Sequence, residues 1–190
     1  QMYLETQGAA AIPHPDGTLE IIPSLQCPFY VHNAVVQALG VPEGKVLIRQ
    51  PVTGGGFGGK EDYPSMMAVW CGLLALKSGH TVKLVLDRKE DIEATPKRHP
   101  SKVYHRTGFK KDGTITAMEI DLLLNGGAYT TLTRVVLQRA TLHAAGAYTV
   151  PNVKIRGRAV ATNTPPTGAF RGFGAPEAFF AVERQMDRAA

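Results

Sequence analysis

Two short stretches hold most of the residues whose types and spacing could do chemistry. The first is Gly54-Gly55-Gly56-Phe57-Gly58-Gly59-Lys60-Glu61, five glycines around one aromatic. Such a run either brings backbone very close to another group or turns repeatedly through positive φ, where glycine alone escapes the Cβ penalty. A strand is expected before it and a helix after it, so its N–H groups could converge on an anion or an oxo group. The second stretch is Thr167-Gly168-Ala169-Phe170-Arg171-Gly172-Phe173-Gly174-Ala175-Pro176-Glu177, which alternates glycine with phenylalanine again and adds an arginine. A ring held between glycines packs poorly on its own neighbours and is left to serve a planar ligand. Arg171 offers a planar cationic fork suited to phosphate or carbonyl oxygens. Either loop alone also reads as a tight turn; together they point to a shared, flat, anionic ligand.

Gly54, Gly59 and Lys60 satisfy the spacing G-x-x-x-x-G-K of a phosphate-binding loop. The next residue should carry the hydroxyl that holds magnesium. Glu61 stands there instead, a carboxylate set against the phosphates it should help bind, and the parallel-sheet context is missing. The six histidines are scattered, and none shows the His-x-x-x-His spacing of a helical zinc site. They read as structural or exposed.

These loops need elements to position them. Tyr3 to Ile12 and Thr18 to Ile22 flank a turn-rich Pro13–Gly17 and read as a hairpin. A helix is expected from Pro28 to Gly40, a strand over Val46 to Ile48, and a second helix from Pro64 to Ser78 closed by Gly79. Met67, Trp70, Cys71 and Leu74 fall at i, i+3, i+4 and i+7 and predict that helix's core stripe. Val82 to Leu86 reads as a strand. Val103 to Phe109 and Ile115 to Leu124 flank Asp112-Gly113, a hairpin signal. Ala128 to Thr131 extends that sheet beyond a Gly126-Gly127 bulge, a third helix spans Thr133 to Ala145, and Val153 to Ala161 is a strand. A last helix opens at Pro176. The expected class is α+β, helices packed on a mixed sheet. A faint repeat accompanies it: strand, glycine-containing loop, then a helix opened by proline, around both Gly54 and Gly172.

The chain has 190 residues, room for one sizeable domain or two small lobes sharing a core. Hydrophobic residues make up 44% and charged residues 19%, ordinary for a globular protein. The net charge of +5 is mildly basic without a basic, aromatic-interleaved stripe, which speaks against nucleic acid. No apolar run reaches the roughly 20 residues of a membrane helix. Two cysteines, Cys27 and Cys71, are too few for an iron–sulfur cluster or a disulfide framework, so a reducing cytoplasm is expected. The chain starts without Met or a signal peptide and stops inside an expected helix, and we read it as a fragment.

The Gly54–Glu61 and Ala169–Pro176 loops resemble the two signature loops of the molybdenum hydroxylases, the xanthine dehydrogenases, aldehyde oxidases and their relatives. Tyr3-Leu4-Glu5, Gln26 and Arg98-His99-Pro100 fit the same family, in the right order along the chain. The resemblance implies that residues 1–190 form one lobe of a molybdopterin-binding subunit, the N-terminal one, with the other lobes elsewhere. It implies a molybdenum ion held by a pterin dithiolene, with or without a nucleotide on the pterin. It also implies iron–sulfur clusters and FAD on partner domains or subunits, and hydroxylation of a heteroaromatic carbon with water as the oxygen source. By the same resemblance, the N–H groups of Phe57 and Gly58 approach the metal's ligands and Arg171 lies against the pterin. Phe173 stacks on the substrate, and Glu61 and Arg139 hydrogen-bond it from opposite sides.

A carboxylate facing a guanidinium suits both edges of a purine, whereas aldehyde-oxidising relatives tend to carry apolar residues at these two places. A xanthine dehydrogenase-type enzyme is therefore favoured, with an aldehyde oxidoreductase or a non-catalytic nucleotide-binding module as alternatives. The plain readings of the pair are a solvated helix arginine and an acid at a helix N-terminus. Two departures matter. Arg139 follows Leu137-Gln138 where purine enzymes resemble Glu-Arg. The family's upstream Gly-Gln pair and its later catalytic glutamate are not in this sequence, so no residue here takes the base's role, and these residues alone are expected to be inactive.

Overall fold

The Pro13–Gly17 turn folds back on itself, with the Thr18 carbonyl accepting the His14 N–H at 2.8 Å. It joins β1 (Gly8–Pro13) to β2 (Leu19–Pro23) as an antiparallel pair with Ala11 opposite Ile21. In the computed structural model, which describes residues 1–190, this hairpin is the centre of a sheet in the first of two units, Gln1–Pro96 and Lys97–Ala190. The strand order is β3-β2-β1-β4, with β3 (Val46–Ile48) parallel to β2 and β4 (Val82–Val85) antiparallel to β1. The ladder begins at Gly8, later than Tyr3, because the preceding residues bond elsewhere. The Glu5 N–H donates to Gly54 O at 3.2 Å, and the Gln7 N–H donates to Asp91 at 2.7 Å.

Two helices cover this sheet, α1 (Pro28–Leu39) and α2 (Pro64–Ser78). Each opens on proline, whose missing N–H is no loss in the first turn, and each stops at a left-handed glycine, Gly40 at φ 66° and Gly79 at φ 69°. The core joins Leu19, Ile21 and Leu25 to Val31, Val35, Met67 and Cys71. The predicted α2 stripe is half corrected. Met67 and Cys71 are buried, but Trp70 and Leu74 remain 41% and 52% exposed. The buried face runs instead through Met67, Ala68, Cys71, Gly72 and Ala75. Small residues won because the neighbours come close: a Cβ on Gly72 would lie 2.8 Å from Leu39 Cδ1.

A helix the sequence reading missed, α3 (Arg88–Ala94), follows β4. Asp87 and Glu90 form a reciprocal capping box, the Glu90 N–H donating to Asp87 at 2.8 Å and the Asp87 N–H to Glu90 at 2.9 Å. Asp91, buried on this helix, accepts the Tyr3 hydroxyl at 2.9 Å.

The second unit is built on β5 (Ser101–Phe109), β6 (Ile115–Gly127) and β7 (Val153–Ala161), in that order, antiparallel then parallel. Alternate residues of β6, Met118, Ile120, Leu122 and Leu124, are buried against α4 (Thr133–Leu142) and α5 (Ala175–Ala189). The strand does not run on through Ala128 to Thr131. Asn125 Oδ1 accepts the Gly127 N–H at 2.9 Å, the register shifts there, and Gly127 turns to φ 74° against the Pro165 carbonyl. The helix after it ends at Leu142, short of Ala145, because a Thr141–Gly146 turn takes over, with the Gly146 N–H on His143 O at 3.0 Å. The class is α+β with mixed sheets, as expected. No helix is long and apolar enough to cross a membrane.

Candidate functional site

The first glycine stretch makes a four-residue turn. The Gly59 N–H donates to Gly56 O at 2.8 Å, and both central residues have positive φ, Phe57 at 52° and Gly58 at 91°. That is the pattern of a mirror-image turn, and a non-glycine residue held there costs about 1 kcal/mol. The Phe57 ring is half-exposed, so burial of the ring does not offset that cost.

Side chains brace the turn at both ends. Glu5 takes the Gly54 N–H at 2.7 Å and the Ser24 hydroxyl at 2.6 Å. The Lys60 ammonium, fully buried, donates to Glu5 at 2.8 Å and to Ser24 Oγ at 2.8 Å, and lies 4.7 Å from the centre of the Tyr3 ring. Burial alone would raise the Glu5 pKa, but the bonds from Lys60, Ser24 and the Gly54 N–H hold it down at about 2. At the other end, Gln26 Oε1 accepts the Gly58 N–H at 2.9 Å and the Lys60 N–H at 3.2 Å. The missing side chains follow from this crowding. A Cβ on Gly54 would sit 2.5 Å from Glu5 Cβ, one on Gly59 2.7 Å from the Tyr3 ring, and one on Gly56 would fall on Gln26 Oε1.

Four of the loop's amides are thus engaged within the chain. Gly54, Gly58, Gly59 and Lys60 have acceptors, and the Phe57 N–H has none. Of the two amides expected to face a cofactor, the Phe57 one is free to do so, while that of Gly58 bonds Gln26. Glu61 follows directly, half-buried, with Asp62 beside it. Burial, then the charges of Glu61 and Asp62, raise the pKa of the Cys27 thiol, so this cysteine is an unreactive neighbour.

The second stretch repeats the turn. The Ala175 N–H donates to Gly172 O at 3.0 Å, with Phe173 at φ 49° and Gly174 at φ 99°. The turn lies against α4, where a Cβ on Gly174 would meet the Val136 carbonyl and come within 2.9 Å of the Ala140 N. Arg139 projects from the same stretch of helix, its Cζ 5.4 Å from the Phe173 ring centre, within cation–π range. The Phe173 ring is half-buried on Leu122, Leu124, Val136 and Ala140.

Arg98 ties down the start of this turn. It donates to the Arg171 carbonyl at 2.6 Å, pairs with buried Glu177 at 3.2 Å and stands over the Phe170 ring at 4.3 Å. The Arg171 side chain itself is exposed and makes no ion pair within the chain. Thr167 anchors the stretch upstream, donating to Asn125 O at 2.8 Å and accepting the Thr131 hydroxyl on its carbonyl at 2.8 Å. His99, buried, meets Thr133 Oγ1 at 2.9 Å at the start of α4.

Phe57 and Gly58 therefore lie in one turn of the first unit with Glu61 just after it, whereas Phe173 lies in a turn of the second unit with Arg171 just before it and Arg139 on α4 beside it. Within the second unit the structure brings Arg139 and Phe173 together. It also reveals braces the residue pattern had not assigned: Glu5, Ser24 and Lys60 on the first turn, Arg98 and Glu177 on the second. The lysine of the G-x-x-x-x-G-K spacing is buried and tied to Glu5, with no exposed ammonium to reach a phosphate, which speaks against the phosphate-loop reading.

The chain matches the molybdopterin cofactor-binding domain family over residues 1–190 and belongs to that family. It is 38% identical over 189 residues to xanthine dehydrogenase/oxidase of Mus musculus, covering 99% of this chain and 14% of that protein. It is 39% identical over 189 residues to the nicotinate dehydrogenase large molybdopterin subunit of Eubacterium barkeri, covering 100% of this chain and 44% of that one. The crystal structure of the aldehyde oxidoreductase of Desulfovibrio desulfuricans superposes with a TM-score of 0.92 at 27% identity, over 99% of this chain and 21% of that one. The chain thus spans less than half the length of each of these relatives.

The residues fit the cofactor the family binds. In the first unit the free Phe57 amide, on backbone too crowded for Cβ atoms at its glycines, and in the second unit the Arg171 guanidinium, without an ion pair, are each a donor suited to an oxygen-rich, anionic group.

Proposed function

We propose that this chain is the N-terminal lobe of the molybdopterin-binding part of an oxidoreductase that hydroxylates a heteroaromatic carbon, a purine of the xanthine type, with water as the oxygen source. The Phe57 amide and the Arg171 guanidinium would hold the cofactor, with Gly58 keeping the backbone close to it. When bound, the molybdenum centre supplies the two-electron oxidant. The chain's own residues bind and orient. Phe173 offers a flat ring, Arg139 a donor that stabilises negative charge building on a purine oxygen, and Glu61 an acceptor for ring N–H groups. Acid–base work belongs to a glutamate outside residues 1–190. Iron–sulfur clusters and FAD on partner domains or subunits carry the electrons away, in a cytoplasmic setting.

The observation that carries this reading is the Arg139–Phe173 pair, 5.4 Å from guanidinium carbon to ring centre. An exposed cation beside a phenylalanine held in a left-handed turn is poor packing but a good surface for a planar, electron-rich ring. The likeness to proteins named for xanthine and for nicotinate, both heteroaromatic, points the same way. The likeness to an aldehyde oxidoreductase keeps that substrate as the second reading. The test is molybdenum and pterin content of the full-length protein from its own host, followed by parallel purine and aldehyde assays. About one equivalent of molybdenum with purine turnover supports the proposal; metal-bearing protein that turns over only aldehydes replaces it with the second reading.

A further inference from the structure

The two braces on the first turn differ in kind: Glu5 meets its entrance with a charge, whereas Gln26 fills its concave side with a neutral oxygen. A backbone N–H can only donate, so the Gln26 atom facing Gly58 and Lys60 at 2.9 and 3.2 Å is the side-chain oxygen. The contact is reciprocal, because the Gln26 N–H donates to the Lys60 carbonyl at 2.7 Å. Three hydrogen bonds therefore fix residues 58 to 60 on one residue. That residue stands just before the Pro28 that opens α1, whose Val31 and Val35 are fully buried, so the brace is attached to a rigid element. The sequence is adapted to it, since any side chain at Gly56 would displace the Gln26 oxygen.

We propose that Gln26 is a positioning residue. Its oxygen occupies the place an anion takes in other glycine loops, and so holds Phe57 in its left-handed backbone with the amide free. It also fixes the Lys60 backbone from which Glu61 departs. Gln26 acts on the reaction through the turn and touches no reacting atom. The effect on turnover rests on the function proposed above; the effect on the turn does not.

The test uses the full-length holoprotein carrying Gln26→Leu, which removes the acceptor at similar size, and Gln26→Glu, which keeps it. Hydrogen exchange of the peptide spanning residues 54–61 is read beside molybdenum content, kcat and KM for a purine. Losing an acceptor shared by two amides speeds exchange about tenfold. A misplaced site lowers kcat by roughly ten- to a hundredfold with KM little changed. Gln26→Leu should show both effects, and Gln26→Glu should stay within about threefold of the parent on both. Unchanged exchange in Gln26→Leu overturns the proposal. So does a Gln26→Glu protein that keeps its protection but loses kcat as Gln26→Leu does, since the side-chain NH2 would then be the working group. Where Gln26→Leu does not fold, Gln26→Glu decides alone: protection and kcat retained supports the assignment, and either one lost overturns it. Where no molybdenum or turnover is found at all, the exchange comparison still decides whether Gln26 holds the turn, and only the proposed function fails.

Discussion

Phe57 and Phe173 hold the same unusual backbone, φ 52° and 49°, each in the second position of a turn closed from Gly56 O to Gly59 N–H or from Gly172 O to Ala175 N–H. One such phenylalanine would be an oddity. Two, each followed by a left-handed glycine and then by a helix with proline in its first turn, are one device used once in each unit. Left-handed backbone at bulky residues is retained where the surroundings over-determine it, and such places cluster at ligand sites.

The glycine after Phe173 is the first thing to test, with a hairpin glycine as its control. Gly174→Ala combines a φ of 99° with a methyl group driven onto the Val136 carbonyl. Gly113→Ala has the strain alone, at φ 84° with open space around it. Gly113→Ala should cost about 1 kcal/mol, and Gly174→Ala roughly 2 kcal/mol more. Denaturant midpoints at matched slope measure the difference, and equal losses would mean that α4 yields to the methyl group.

Arg139 and Phe173 should be coupled in function. Arg139→Met and Phe173→Ala are each expected to lower purine kcat/KM by about tenfold or more, with aldehyde turnover less affected. Because the guanidinium lies on the ring, the double variant should fall short of additivity by roughly 0.5–1 kcal/mol. A double-mutant cycle on kcat/KM reads this directly; strict additivity would separate the two residues.

Glu61→Ala should lower purine turnover at least tenfold while sparing an aldehyde, which offers no ring N–H for a carboxylate to accept. Equal losses on both substrates would make Glu61 a support of the turn. Glu61→Gln, which keeps the shape and loses the charge, should recover part of any structural loss but little of the purine rate.

Acid should weaken the second unit through His99. Burial, and then the neighbouring Arg98 charge, lower this imidazole's pKa from 6.5 to about 4. Its Nδ1 has no partner in the buried site. The fold therefore holds the neutral ring, while the unfolded chain takes up a proton near pH 6.5. The stabilisation is present above pH 6.5 and is lost progressively as pH falls to about 4, on the order of 3 kcal/mol in all. His99→Asn should flatten unfolding free energy over that window; an unchanged slope would place the titration elsewhere.

How much of this was legible in the sequence depended on distance along the chain. The ends of α1 and α2 were readable because proline and glycine act locally, at Pro28, Gly40, Pro64 and Gly79. The capping box of α3 is equally local, but its helix of 7 residues is too short to show an apolar period. Trp70 and Leu74 were misplaced because spacing selects a face of a helix and not its partner; the close approach at Gly72 decided the matter. Both glycine turns and their phenylalanines stood out by composition. Their braces did not, because Gln26 meets Gly58 across 32 residues and Glu5 meets Gly54 across 49. No periodicity links such pairs.

The burial of Lys60 has a consequence for how such loops are sorted by pattern. Changing Glu61 to serine would complete the written form of a nucleotide-binding motif, yet it would not create a nucleotide site. The ammonium that should reach for phosphate is sealed away and neutralised by Glu5, and the amides at residues 58 and 60 already enclose an oxygen from the protein's own glutamine. Two proteins can thus share the letters of a phosphate loop while one keeps the cavity open and the other has plugged it from within.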